Sequence, residues 1–298
     1  MRIAVTGSSG LIGSALVPHL RAAGHEVQRV VRRTSAAPDE ITWDPTKGTI
    51  DLAALNGVDA VVHLAGAGVG DHRWSDSYKR EILDSRVDST TTIVRAMQQV
   101  EHRPRVLVSA SAIGWYGDTG DRVVDETAPA GTGFLADVVR AWEGASQVAV
   151  ESGIRVVNPR TGLVVAKSGG AWARMFPLFK LGLGGKLGNG KQYWSWISLR
   201  DEVCALQFLL EQEHLSGPVN LTAPNPVTNA EVTKVMGHVL GRPTLLPAPA
   251  FALKAALGEF STEVLGSARV VPAVLEHAQF RFQDTTIESA VRTALDSE

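Results

Sequence analysis

The chain contains few of the residues that define several large classes of protein. It has a single cysteine, Cys204, in 298 residues, so it cannot form an internal disulfide and fits a reducing compartment. Its 29 lysines and arginines nearly balance its 31 aspartates and glutamates, which leaves no basic excess for nucleic acid. It has neither an uninterrupted apolar run of about 18 residues nor the apolar core of a signal peptide. We therefore expect a cytoplasmic protein without a membrane or nucleic-acid partner.

Short apolar segments alternate with helical segments through the first half of the chain. The apolar segments predict strands at residues 3–6, 27–31, 58–64, 105–110 and 154–158. The segments between them predict helices at residues 11–23, 75–100 and 134–152. Strands that are apolar throughout and alternate with helices are typical of a parallel sheet covered on both faces. The sequence therefore predicts an α/β protein with a Rossmann-type, doubly wound parallel sheet.

The composition changes after residue 166. Residues 168–190 are rich in glycine with aromatic residues interleaved, and prolines interrupt residues 223–227 and 243–249. We interpret residues 1–166 as the Rossmann-type domain, to which residues 196–222 return as a helix and an edge strand. Residues 167–195 and 223–298 then form a smaller substrate lobe. Three tryptophans near this boundary either line a pocket or pack the lobe against the domain: Trp172, Trp194 and Trp196.

A glycine-rich loop follows the first predicted strand and opens the first predicted helix. It reads Gly7-Ser8-Ser9-Gly10-Leu11-Ile12-Gly13. In a dinucleotide-binding loop Gly7 allows the tight turn, Gly10 lets the backbone approach the pyrophosphate, and Gly13 lets the helix pack close to the sheet. The N–H groups at the start of the helix attract the phosphates. The loop therefore predicts a dinucleotide site, with Ser9, Leu11 and Ile12 among its contacts.

The end of the second predicted strand distinguishes between the two nicotinamide dinucleotides. An NAD site usually has an acidic residue there, bonded to the ribose 2′-hydroxyl. This chain has Val31-Arg32-Arg33 instead, and guanidiniums suit a 2′-phosphate. We therefore expect NADP(H). The alternative is that both arginines are solvated residues of a surface loop, which would give the same sequence pattern. After the third predicted strand, His63 is either a ligand contact or a satisfied polar residue, and the small residues that follow it let the cofactor pass close to the backbone: Leu64, Ala65 and Gly66.

With these features the chain resembles the extended short-chain dehydrogenase/reductases, and more narrowly their atypical "epimerase family" branch. The resemblance covers nearly the whole chain in order. It is carried by Val5-Thr6-Gly7, Gly10-Leu11-Ile12-Gly13, Leu64-Ala65-Gly66, Arg73-Trp74, Ser85-Arg86, the segment from Ser109 to Gly117, Trp142-Glu143, Arg160-Thr161-Gly162, Gly182-Leu183-Gly184-Gly185, Ser195-Trp196-Ile197, the segment from Asn220 to Pro226, and Val271-Pro272.

The resemblance implies a C-terminal lobe over the cofactor and a set of cofactor contacts. Arg86 would either reach a phosphate or remain a surface charge of its helix. Arg160, just after the fifth predicted strand, is a similar candidate. The implied NADP(H) contacts also include Val31, Arg32, Leu64, Ala65, Glu81 and Ser109.

The resemblance also shows what is missing. Extended members of the class use a serine or threonine after the fourth strand and a Tyr-x-x-x-Lys pair on the next helix, where the tyrosine moves a proton as hydride moves to or from the nicotinamide. Ser111 matches the serine, but Leu135 and Val139 stand at the tyrosine and lysine positions. Tyr116 is either a substitute acid/base or an aromatic wall of the pocket. Ser111 would donate a hydrogen bond to a substrate oxygen. Ser111 and Tyr116 are therefore the catalytic candidates.

We expect an NADP(H)-dependent oxidoreductase or epimerase acting on a small polar substrate, with nucleotide sugars as one candidate class. The missing pair favours an alternative, a redox sensor or binding module that holds NADP(H) with little or no turnover. No metal site is expected. The two long helices would allow a homodimer.

Overall fold

The computed structural model describes residues 1–296 of the chain. The strands of this part are β1 (Arg2–Thr6), β2 (Glu26–Val31), β3 (Glu40–Asp44), β4 (Thr49–Ile50), β5 (Ala60–His63), β6 (Val106–Ser109), β7 (Ser111–Ala112), β8 (Val123–Val124), β9 (Arg155–Thr161), β10 (Leu163–Val165), β11 (Tyr193–Trp194), β12 (Trp196–Ser198), β13 (Gly217–Leu221), β14 (Val227–Thr228) and β15 (Arg269–Val270). The α-helices are α1 (Leu11–Ala22), α2 (Leu52–Leu55), α3 (Asp76–Gln99), α4 (Phe134–Gln147), α5 (Gly170–Lys180), α6 (Leu199–Glu211), α7 (Asn229–Leu240), α8 (Ala250–Leu257), α9 (Ser261–Leu265), α10 (Ala273–His277) and α11 (Ile287–Asp296). Short 3₁₀ turns lie at Ile113–Tyr116, Val148–Ser152 and Gly258–Phe260.

The central sheet has the strand order β13-β9-β6-β5-β1-β2-β3-β4, and β7 pairs with β9 beside it. Neighbouring strands run parallel except β4, which pairs antiparallel with β3. The predicted doubly wound parallel sheet is thereby confirmed. Every strand predicted from the apolar segments is present, with bounds that differ by up to three residues.

Successive residues of the inner strands explain why these segments read as apolar throughout. Ile3 and Val5 of β1 belong to the core on the face covered by α1 and α6. Ala4, between them, belongs to the core on the face that α3 covers with Ile93 and Met97. Because side chains alternate between the two faces of a strand, a sheet covered on both sides requires apolar residues at every position.

The strands that follow β1 in the chain, β2 to β4, lie on one side of it, and β5 lies on its other side. The strand order therefore reverses between β1 and β5. In open α/β sheets the ligand binds at the carboxyl ends of the strands next to this switch point. The loops after β1, β2, β5, β6 and β9 therefore form the edge on which a functional site is expected.

The later part of the chain builds a second core around aromatic residues. Trp172 and Trp196 are fully buried in it and Trp194 nearly so, together with apolar residues of α7 and α11. Of the two alternatives for these tryptophans, the structure therefore favours packing over a pocket wall. The indole N–H of Trp196 donates to the carbonyl of Asn225 at 3.1 Å, which joins β12 to the loop between β13 and β14.

Within residues 196–222, α6 packs against α1 and β13 pairs with β9 at one edge of the sheet. The carboxyl-terminal segment also returns there, since Leu275 of α10 belongs to the same core as β1. The division into domain and lobe stays a prediction. No helix of residues 1–296 is long and apolar enough to cross a bilayer.

Candidate functional site

The loop between β1 and α1 has the geometry that the three glycines predict. Gly7 has a φ of +63°, and a Cβ there would lie 2.8 Å from the backbone of Leu64. A Cβ on Gly13 would overlap the carbonyl oxygen of Gly7, so only glycine lets the helix approach this closely. Gly10 and Ser9 are exposed, which leaves the outer side of the loop accessible to a ligand.

The first turn of α1 is open to an anion. Its N-cap is Gly10, and among the described residues no side chain caps it. The first N–H groups of a helix have no partner inside the helix and carry partial positive charge. Leu11 contacts Gly169 and Gly170 at the start of α5, since a Cβ built on Gly169 would lie 3.1 Å from the side chain of Leu11. The start of α5 therefore lies beside the start of α1. Because the first N–H groups of α1 are uncapped, the loop suits the pyrophosphate of a dinucleotide.

His63 belongs to the support of this edge and not to its surface. It is fully buried, with its two ring nitrogens 2.8 Å from Thr6 Oγ1 and 3.1 Å from Ser89 Oγ. Burial lowers its pKa to about 3, so it is neutral at physiological pH. Thr6 Oγ1 also accepts from the N–H groups of Leu64 and Ala65. The structure thus favours the satisfied polar residue over the ligand contact.

The two arginines after β2 have different surroundings, which corrects part of the expectation. Arg33 forms a two-pronged ion pair with Glu40, whose side chain is almost completely buried. Arg29 binds the same carboxylate at 2.8 Å. Hydrogen bonds from Arg33 are the main cause that lowers the pKa of Glu40, and Glu40 neutralises Arg33 in return. Both arginines are exposed, but Arg32, unlike Arg33, forms no ion pair with any residue in the described part of the chain.

Arg86 on α3 lies against the turn after β5. Its guanidinium carbon would be 3.4 Å from a Cβ on Gly66, its Nη1 donates to the carbonyl of Ile82 at 2.9 Å, and it lies 5.0 Å from the ring of Trp142. Burial lowers its pKa to about 10. No carboxylate of residues 1–296 pairs with it. A largely buried cation without a counter-ion is costly, so this position suits an anionic ligand.

The remaining cofactor candidates are divided between exposed and buried positions. Leu64 and Ala65 are half-buried beside the exposed Gly66, Val31 and Ile12 are half-buried, and Glu81 is exposed on α3. Ser109 requires a correction, because its side chain is fully buried. Its hydroxyl has no hydrogen-bond partner within residues 1–296 and is not accessible to a cofactor.

A buried polar cluster occupies the loop after β6, where catalysis was expected. The hydroxyl of Ser111 donates to Glu143 Oε1 at 2.6 Å. Arg160 donates through Nε and Nη2 to the two oxygens of the same carboxylate, at 2.8 and 2.9 Å, and its guanidinium stacks 3.9 Å from the centre of the Trp115 ring. Burial opposes the charge of Arg160, but the hydrogen bonds and charge of Glu143 raise its pKa overall. Ser111 is therefore held with its proton directed at an ion pair.

Arg160 was expected to reach a phosphate, and this expectation requires a correction. The residue lies inside β9, which extends three residues further than predicted, and it is 2% exposed. Its guanidinium is committed to Glu143 and to the hydroxyl of Tyr116. Any contact of Arg160 with a cofactor would have to come from its main chain.

Tyr116 is buried at 3% exposure with both hydrogen-bonding capacities of its hydroxyl used. It donates to Asn220 Oδ1 at 2.7 Å and accepts from Arg160 Nη1 at 3.1 Å. Burial raises its pKa to about 12, although the charge of Arg160 opposes this. A hydroxyl with two buried partners and such a pKa is poorly suited to exchange protons near neutral pH.

Leu135 and Val139 lie where the missing tyrosine and lysine were expected. Both contact the turn after Ser111, because a Cβ on Gly114 would lie 3.4 Å from Leu135 Cβ and 3.7 Å from Val139 Cγ2. Glu143 was not singled out for a role in the sequence. It follows Val139 by four residues and so lies one turn further along the same face of α4, which is the signal that would have found it.

A second buried carboxyl group, also missed in the sequence, lies beneath the end of β9. Glu202 is 1% exposed and accepts from Thr161 Oγ1 at 2.8 Å. Its other oxygen has no partner within the described residues. Burial raises its pKa to about 8, and the hydrogen bond from Thr161 opposes this. Glu202 is therefore largely protonated at neutral pH.

Comparison with known proteins places this geometry among dinucleotide-binding folds. The model of the NAD dependent epimerase/dehydratase family matches residues 3–221, and a domain of unknown function (DUF1731) matches residues 248–294. An epimerase family protein of Mycobacterium tuberculosis is 51% identical over 290 residues, which are 97% of this chain and 96% of that protein.

Two solved structures are similar over the whole of this chain. The crystal structure of human epimerase family protein SDR39U1 (isoform 2) with NADPH has a TM-score of 0.92 at 31% identity, and each chain is covered completely. The nucleoside-diphosphate sugar epimerase from Corynebacterium glutamicum has a TM-score of 0.82 at 35% identity, covering 100% of this chain and 59% of that one.

Proposed function

Because this chain belongs to the NAD dependent epimerase/dehydratase family and has its NAD(P)-binding Rossmann fold, we propose that it is an NADP(H)-dependent oxidoreductase or epimerase. Its substrate is a small polar molecule, and nucleotide sugars are the class that the similar Corynebacterium protein suggests. The human relative crystallised with NADPH supports the cofactor.

The observation that carries the choice of cofactor is the separation of the arginines after β2. Glu40, on the strand that pairs with β2, has its carboxylate already bound by Arg29 and Arg33. It is therefore a poor acceptor for the ribose 2′-hydroxyl of NAD(H). Arg32 remains exposed beside it, as a guanidinium free to form charge-assisted bonds with a 2′-phosphate.

The other residues of the edge have complementary roles. The open turn of α1 binds the pyrophosphate, and Arg86 compensates a further negative charge beside Gly66. When bound, the dinucleotide supplies or accepts hydride at its nicotinamide. The proton of Ser111 is directed at Glu143, so only the lone pairs of this buried hydroxyl remain to accept a hydrogen bond from a substrate hydroxyl.

The cofactor assignment is tested by comparing Arg32→Ala with Arg33→Ala. Arg32→Ala should weaken NADPH binding by roughly 1–3 kcal/mol, the usual value of a hydrogen bond to a charged group, and leave NADH binding unchanged. Arg33→Ala should change NADPH binding less, because Arg33 is paired with Glu40. Titration of both cofactors by calorimetry measures this. Equal losses of NADPH and NADH in Arg32→Ala would refute the 2′-phosphate contact.

A second candidate, an NADP(H)-binding sensor without turnover, is favoured by one observation. Leu135 and Val139 cannot transfer protons, and the hydroxyls of Ser111 and Tyr116 are bound to buried partners. Following NADPH absorbance at 340 nm with a panel of carbonyl compounds separates the two functions, with product analysis of sugar nucleotides added to detect epimerisation. Tight NADPH binding without turnover over a broad panel would support the sensor.

A further inference from the structure

Two long segments in the second half of the chain contain no acidic residues. No aspartate or glutamate occurs between Glu151 and Asp201, or between Glu231 and Glu259. This contrasts with the near balance of 29 basic and 31 acidic residues in the whole chain. The basic residues of these segments that are exposed include Lys180, Lys186, Arg242 and Lys254.

The two segments meet directly. The N–H of Ala248 donates to the carbonyl of Lys186 at 2.8 Å, and the N–H of Gly188 donates to the carbonyl of Ala248 at 2.8 Å. Gly185 is so close to the backbone of Leu246 that a Cβ would overlap it. The two acid-free segments therefore form one continuous surface.

Large apolar side chains project from the same surface. Leu245 is 82% exposed, Phe251 76% and Leu181 73%. All eight residues of α8 are exposed or half-buried, although the helix is mostly alanine, leucine and phenylalanine. We name as the leucine face the six side chains of this surface that are at least half exposed: Leu178, Leu181, Leu183, Leu245, Leu246 and Phe251.

We propose that the leucine face docks on an anionic phospholipid surface. Exposed apolar side chains set among lysines and arginines are typical of proteins that lie in the interfacial region of a bilayer. A second copy of the chain fits less well, because a two-fold contact would bring the same cationic segments together. The expectation of no membrane partner rested on the absence of a long apolar run, and that criterion does not detect a cationic surface with exposed apolar side chains.

The proposal is tested by flotation of the full-length protein with lipid vesicles. One set contains phosphatidylcholine alone and the other contains equal parts phosphatidylcholine and phosphatidylglycerol. The double variant Leu245→Ser with Leu246→Ser removes the two adjacent leucines, and Lys180→Glu reverses one charge. Val148→Ser with Val150→Ser is the matched control, since these valines are 46% and 51% exposed on a different element.

The expected result is binding to the anionic vesicles alone and its loss at high salt. Lys180→Glu should lower the partition coefficient at least about fivefold, from the free energy of one basic residue near an anionic surface. The double leucine variant should lower it about tenfold or more, and the valine control should bind like the wild type. Unchanged melting temperatures establish that all variants fold.

Three results would overturn the proposal. They are equal binding to both kinds of vesicle, no binding to either, and an equal loss of binding in the valine control. Light scattering after gel filtration identifies the main competitor. A dimer that becomes a monomer in the double leucine variant, without vesicle binding by the wild type, would make the leucine face an interface between copies.

Discussion

The loops after β1 and β6 lie at the same edge of the sheet and are built in opposite ways. The loop from Gly7 to Gly13 exposes backbone N–H groups and contains its own determinants within seven residues. The loop after β6 depends on buried side chains from other elements. Ser111 binds a partner 32 positions away, and Tyr116 binds partners 44 and 104 positions away. The first loop is organised to receive a ligand, whereas the second is already occupied by its own polar groups.

The largest expected effect comes from breaking the buried pair. Glu143→Ala leaves Arg160 buried without its counter-ion, which typically costs about 3–5 kcal/mol of unfolding free energy. The matched control is Asp137→Ala on the same helix, since its pair with Arg140 is exposed to solvent and contributes little. Urea unfolding measures both. If the two variants are equally stable, the cluster after β6 does not hold the fold together.

A slightly smaller effect should come from pH, through Glu202. Its pKa in the folded state, about 8, lies above the value of about 4.3 for an unfolded chain, so the folded state binds the proton more tightly. The contribution of Glu202 to stability should therefore fall as pH rises from about 4.5 to 8, by roughly 4 kcal/mol at 1.36 kcal/mol per pKa unit.

Glu202→Gln isolates this contribution, because the amide oxygen still accepts from Thr161 but carries no charge at any pH. The variant should match the wild type near pH 5 and exceed it near pH 8 in urea unfolding. A difference between the two proteins that is independent of pH would show that Glu202 keeps an ordinary pKa.

The comparison also explains how much could be read from the sequence. The doubly wound sheet and the family were predicted and are confirmed, because periodicity and the glycine spacing are local signals. Arg32 and Arg33 look equivalent as neighbours in sequence. Only the pairing of β2 with β3 brings Glu40 next to one of them.

The buried cluster could not be predicted, for the same reason. Nothing near Arg160 in the sequence indicates that α4 supplies its carboxylate, and a strand extended by three residues changes an expected phosphate ligand into a core residue. Glu143 was accessible in principle, since it lies on the face of α4 that carries Leu135 and Val139. Its role depends on Ser111 and Arg160 meeting it, which is tertiary information.

The open loop provides the third test. Gly13→Ala should lower the free energy of unfolding by about 1–3 kcal/mol, the usual cost of overpacking, and weaken NADPH binding, because the new Cβ would overlap the backbone of Gly7 and Ser8. Gly10→Ala is the matched variant, since its Cβ would lie 3.3 Å from the carbonyl oxygen of Gly7 with no other close contact in the described residues.

Gly10→Ala should cost less stability than Gly13→Ala, since its single contact is at 3.3 Å rather than an overlap, and it should lose affinity for NADPH because the new methyl group lies on the outer side of the loop. Thermal melts with and without NADPH separate the two effects. A Gly13→Ala variant that melts and binds NADPH like the wild type would show that the close approach of α1 to the loop is not needed for stability or binding.

The smallest expected effect decides the role of Tyr116. Tyr116→Phe removes the donor to Asn220 Oδ1 and should cost about 1–2 kcal/mol of stability, because a buried acceptor loses its partner. NADPH affinity should not change, and any turnover found with the substrate panel should persist. A hydroxyl with a pKa of about 12 is a weak general acid at neutral pH and is almost never deprotonated to act as a base. Loss of turnover in a variant that still folds and binds NADPH would restore Tyr116 as the acid/base. The loop after β6 would then be a catalytic site in which the hydroxyl of Tyr116 leaves its buried partners and binds the substrate. Both loops would then be able to receive a ligand, and they would differ only in that the hydroxyl of Tyr116 first has to leave its partners in the chain.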